Sequence, residues 1–154
     1  MSPMRFEDFD NYSPKGDNSE QDTQEENIFY VLIRSKVDWE AEGIITKLVL
    51  LLGLKEGWDS YDASQIQPRA IEKAIELLLS SPRGHETPSP QVVPTSEGGL
   101  QLEWHEAGAD LEIMVSPIGH LTGFWTDGKT SLEREGDTAV LDLLNEQAPR
   151  SRLT

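Results

Sequence analysis

The segment Gly123-Phe124-Trp125-Thr126-Asp127-Gly128-Lys129-Thr130 spells the phosphate-loop pattern G-x-x-x-x-G-K-[ST]. That pattern holds nucleotide when a strand leads into a loop of free backbone N–H groups and a buried helix follows, because loop amides and helix N-terminus together cradle phosphate. Phe124 and Trp125 have the character of strand residues, and Ser131 to Gly136 are polar except for Leu132. Such residues cannot make a core-facing helix, so the segment reads as a turn, Thr126-Asp127-Gly128-Lys129. The histidines are His85, His105 and His120, and no two stand at the i, i+4 spacing of a metal-binding helix. His105 falls on the polar face of a strand and His120 in a turn, which suits surface histidines. The chain has no cysteine, which excludes thiol chemistry, Cys-ligated zinc, iron–sulfur clusters and disulfides. No serine lies in a G-x-S-x-G elbow. The expectation is a non-enzymatic chain without metal or cofactor.

Carboxylates are the abundant chemistry. The 154 residues carry 28 acidic and 13 basic side chains, a formal net charge of −15. Binding to nucleic acid or an anionic membrane relies on Lys and Arg neutralising phosphate, so this balance argues against both. It favours association with a basic protein, which an acidic surface steers. Leu100, Leu102 and Trp104 alternate with Gln101, Glu103 and His105, and Leu111, Ile113 and Val115 alternate with Glu112 and Met114. Period-two alternation means one covered and one solvated face. With Trp104 opposite Leu111 and Leu102 opposite Ile113, Glu103 faces Glu112 on the solvent side. Like charges placed so are destabilising. A nearby base, an ion or a basic partner would relieve them; simple solvated acids and an acid/base dyad are the alternatives. Glu103, Asp110 and Glu112 are therefore candidate partner-binding residues.

A second candidate set lies in the loop Leu54 to Ala63, where Trp58 and Tyr61 stand beside Asp59 and Asp62. Loop aromatics can anchor a partner, or they can plug the space between two helices. Trp104 and Trp125 flank Leu111 on the covered face and read as core.

The elements that must position these groups follow from patterning. Residues 1–27 hold eight acids against two bases, and between Asn11 and Asn27 only Tyr12 is apolar. Such a segment cannot offset its ordering entropy, so it is expected to be a disordered acidic tail. Phe6, Phe9 and Tyr12, three apart, are either a short recognition motif or incidental. A single domain is expected over 28–147, with a frayed end at 148–154. It opens on the strand-like run Ile28 to Ile33. A helix follows from Asp38, its N-cap, to about Leu54. Leu48 to Leu52 is apolar nearly all round, so that helix should be central or contact a partner. Pro68 opens another helix, with Ile66 and Ile71 spaced as a hydrophobic staple. Residues 91–126 read as a meander: a short edge strand at Gln91 to Pro94, then the two alternating runs, then Leu121 to Trp125. Val140, Leu141, Leu143 and Leu144 mark a last short helix. The fold class is α+β, an antiparallel meander of three to four strands with two or three helices packed on one face.

The stretch Gly57-Trp58-Asp59-Ser60-Tyr61-Asp62-Ala63, the helix opened by Pro68, Pro88-Ser89-Pro90-Gln91-Val92-Val93-Pro94-Thr95 and Gly98-Gly99-Leu100-Gln101-Leu102-Glu103-Trp104 together resemble a group of small, uncharacterised bacterial and phage-borne proteins. The resemblance covers roughly residues 54–115. No activity transfers with it. It implies a bacterial, cytoplasmic, mobile-element setting, in which small acidic proteins often bind and inhibit another protein. The functional expectation is an antitoxin-, immunity- or anti-defence-like binder of a basic partner, including a nucleic-acid mimic. An oligomeric accessory subunit is the alternative, and a small enzyme or nucleotide binder the remote one.

Overall fold

Alternation along the middle of the chain becomes a five-stranded antiparallel sheet in the order β1-β2-β3-β4-β5. The strands are β1 (Gln91–Pro94), β2 (Leu100–Glu106), β3 (Ala109–Val115), β4 (Leu121–Thr126) and β5 (Ser131–Glu135). Among the described residues the helices are α1 (Trp39–Leu50), continued by a 3₁₀ turn Leu51–Gly53, then α2 (Pro68–Ser80) and α3 (Asp137–Gln147). This computed structural model describes residues 39–81 and 86–150, and the side chains of all of these but 39–42. The expected tail, the expected strand at 28–33, the cap Asp38, His85 and the last four residues lie outside the described residues. The α+β arrangement is as expected.

The strand count is not. Three to four strands were expected, and Ser131–Glu135 adds a fifth. The polar sequence Ser-Leu-Glu-Arg-Glu hid it. A strand at a sheet edge needs little apolar content, and charges there discourage unwanted pairing. Leu132, opposite Trp125, is its one inward apolar residue.

The register is the one that alternation demands: Leu102 opposite Ile113, Trp104 opposite Leu111, Glu103 opposite Glu112. Leu100, Leu102, Leu111, Ile113, Val115 and Leu121 turn inward and are buried. α3 lies against β3, β4 and β5, and α2 against α1, α3 and β3. Val140, Leu143 and Leu144 cap the inner face from α3; Ala70, Ile71, Ala74, Ile75 and Leu77 do so from α2. Gly123 lets α3 come close. A Cβ there would stand 2.7 Å from Leu143 Cδ2. Among the described residues no polar or charged residue is fully buried.

Pro68 opens α2 behind Gln67, and the staple residues Ile66 and Ile71 are both buried. α1 buries Ile44, Ile45 and Leu48 and leaves Leu50 69% exposed. Of the apolar run Leu48 to Leu52, expected to be central or to contact a partner, only Leu48 is buried; Val49, Leu51 and Leu52 are half-buried. Among the described residues no helix is long and apolar enough to cross a membrane.

Candidate functional site

The outer face of the sheet carries the residues of the opposite parity. β2 presents Gln101, Glu103 and His105; β3 presents Asp110, Glu112 and Met114; β4 presents Thr122, Phe124 and Thr126; β5 presents Ser131, Glu133 and Glu135. Two rows matter. Glu103, Glu112, Phe124 and Glu133 run side by side across four strands, and Met114, Thr122 and Glu135 run beside them. Met114 is 47% and Phe124 39% exposed. Two exposed apolar side chains thus share the face with five carboxylates, Glu112 standing beside both of them, and none of these outward strand positions holds Lys or Arg.

The bases on it are histidines. His105 Nε2 lies 3.0 Å from Glu103 Oε2, and its Nδ1 lies 2.7 Å from Asp110 Oδ1. The hydrogen bond to Glu103, then that to Asp110, pushes the imidazole pKa up to about 9, so His105 is a cation at neutral pH. It relieves part of the crowding between Glu103 and Glu112. His120 Nε2 lies 2.8 Å from Glu135 Oε1 at the other end of the face. Sequence reasoning placed both histidines at the surface but missed that each is clamped by acids. The signal for His105 was present: residues 103, 105 and 110 share one face once the register is known. Phe124 was legible too, as an apolar residue at a solvent parity. Glu133 and Glu135 were hidden with their strand.

The loop set behaves differently. Trp58 is half-buried and donates its indole N–H to Ser64 O at 3.0 Å. Asp59 Oδ1 accepts from Tyr61 N at 2.9 Å and Ala63 N at 3.2 Å. Gly57, at φ +73°, closes the turn by donating to Ala63 O at 2.7 Å. Trp58 and Asp59 therefore hold the loop's own shape, whereas Tyr61 is 83% exposed and Asp62 is exposed. Ser64 N and Gln67 N bond Ser96 O and Gly98 O, tying the loop to the turn that precedes β2. His105 sits at the opposite end of β2, a seven-residue strand spanning roughly 20 Å, with Asp110 facing it on β3. The structure brings Glu103, Asp110 and Glu112 together and keeps Trp58, Asp59, Tyr61 and Asp62 apart from them.

In the 123–130 segment, residues 123–126 are strand β4 and 127–130 form the hairpin turn to β5. Asp127 Oδ1 accepts from Lys129 N at 2.9 Å and Thr130 N at 2.7 Å. Those bonds, Thr130's first, hold the Asp127 carboxyl below its ordinary pKa. The backbone donors a phosphate would need are spent on an internal carboxylate, and a strand follows in place of a helix. No group of three or more His, Asp or Glu among the described residues is arranged to hold a metal ion. Comparison with protein-family models, curated proteins and solved structures gives no match.

Proposed function

We propose that the chain is a protein-binding module whose outer sheet face docks a basic partner and so inhibits or neutralises it. One observation carries this reading: Met114 and Phe124 lie exposed on a face that also presents Glu103, Asp110, Glu112, Glu133 and Glu135. Apolar side chains beside charged ones are a common make-up of protein interfaces. The sign of the charges selects a basic partner and speeds encounter at low salt. It also opposes pairing with a second copy through the same face, because two such faces repel. Tyr61 and Asp62 form a separate, smaller contact in this proposal. Trp58 and Asp59 serve it only by shaping their loop. A bacterial, cytoplasmic setting belongs to the proposal as well and is supported by the resemblance over residues 54–115.

The test is capture by the tagged full chain from its source cell, with washes of rising salt, beside the double variant Glu112→Lys/Glu133→Lys. One stoichiometric basic protein is expected, released as ionic strength rises and absent from the variant. A nuclease or DNA-binding protein in that band would specify nucleic-acid mimicry. A band that ignores both salt and charge reversal, or no band, would sink the proposal.

A further inference from the structure

A cavity of about 210 Å³ opens at the hairpin end of β2 and β3. Trp104, Leu111 and Trp125 wall it from the covered side of the sheet, and Gln147 and Pro149 close it from the end of α3. Glu106, exposed on the hairpin, is the one charged side chain among its described lining residues. Trp104 is buried and spends its indole N–H on Pro88 O at 2.7 Å, so the half-buried Trp125 presents the accessible indole surface of the cavity.

Three properties narrow the occupant. Metabolite sites run to roughly 300–1,000 Å³, so this cavity suits a single side chain better than a small molecule. Indole rings attract cations through their quadrupole, more strongly than Tyr or Phe. A carboxylate beside an aromatic wall favours a group with an apolar stem and a positive head, as Lys and Arg have. The same hairpin carries Glu103, His105 and Asp110 on its outer face, so the cavity continues the acidic surface around its edge. We infer that the Trp104–Trp125 cavity receives one lysine or arginine side chain of the partner, its cation against the Trp125 indole and paired with Glu106. The assignment rests on the basic-partner reading and names the partner group that enters the chain.

The test uses the full chain with ¹⁵N-labelled indoles and no partner. N-acetyl-arginine amide and N-acetyl-lysine amide are titrated beside the neutral N-acetyl-norleucine amide. The Trp125 indole signal should shift saturably with a cationic probe, at a midpoint at least about threefold below that for the neutral one. Glu106→Gln, an exposed change that leaves the core intact, should erase most of that preference. The Trp58 indole should not respond. Equal shifts with the norleucine probe would make the cavity merely apolar and overturn the assignment. So would a silent Trp125 at about 0.1 M cationic probe, where a millimolar site is full. If Trp125 responds as expected but no salt-sensitive partner is captured, the basic-partner reading fails while the cation site stands. If the partner is captured and Trp125 is silent, the cation site alone fails.

Discussion

The two faces of one sheet are built from the same five strands and have opposite chemistry. Inward, Leu100, Leu102, Leu111 and Ile113 are at most 1% exposed. Outward, residues one position along carry carboxylates crowded closely enough that an imidazole is held as a cation between two of them. The inner face supplies stability through burial, and the outer face gives some of it up through repulsion. A surface that tolerates like charges side by side has its relief in a partner of opposite charge. The difference teaches that, along a strand, adjacent residues can answer to stability and to binding separately.

Substitutions should separate the faces in order of size. Leu102→Ala or Ile113→Ala should cost about 2–5 kcal/mol in denaturant unfolding, because each leaves a void in a closed core. Gly123→Ala should cost about 1–3 kcal/mol, since its methyl meets Leu143 and α3 must shift. An outer-face change of comparable cost would break the comparison. Glu112→Gln should do the reverse of the core changes. It should stabilise by about 0.2–1 kcal/mol through relief of the Glu103 contact, while weakening capture of the basic partner.

The loop offers the same contrast in miniature. Trp58→Phe should lose about 1 kcal/mol with the bond to Ser64 O. Tyr61→Ala should stay within about 0.5 kcal/mol of the parent. Any effect of Tyr61→Ala on partner affinity therefore reads binding alone. Replacing Trp58 and Tyr61 together would mix the two roles.

The smallest effect is a pH dependence. The folded-state pKa of His105 is raised from 6.5 to about 9, so its stabilising contribution is complete below about pH 6.5 and is lost as pH rises through 9. Melting temperature measured between about pH 6 and pH 10 should fall more for the parent than for His105→Gln. Parallel curves would show that the clamp contributes nothing to folding.

Much of this was legible in the chain. Alternation in residues 100–115 sets which residues turn inward, and with it the pairing of Glu103 with Glu112, because a one-residue slip would send every leucine to water. Pro68 and the Ile66/Ile71 pair mark the start of α2, since these features act within one turn of helix. The turn within the 123–130 segment was readable from what flanks it. β5 was not legible, because its stability comes from pairing with β4 and not from its own apolar content. Nor were the roles within the loop: Trp58 and Tyr61 have similar local surroundings in sequence, and only the position of Ser64 O distinguishes the packed ring from the exposed one. Local patterning thus determined the elements other than β5, their faces and the acidic character of the surface. Tertiary structure alone decided that His105 lies between Glu103 and Asp110, that the loop stands apart from the outer face, and that Trp104 and Trp125 enclose a cavity. Each of these depends on residues distant in sequence meeting in space, which no periodicity records.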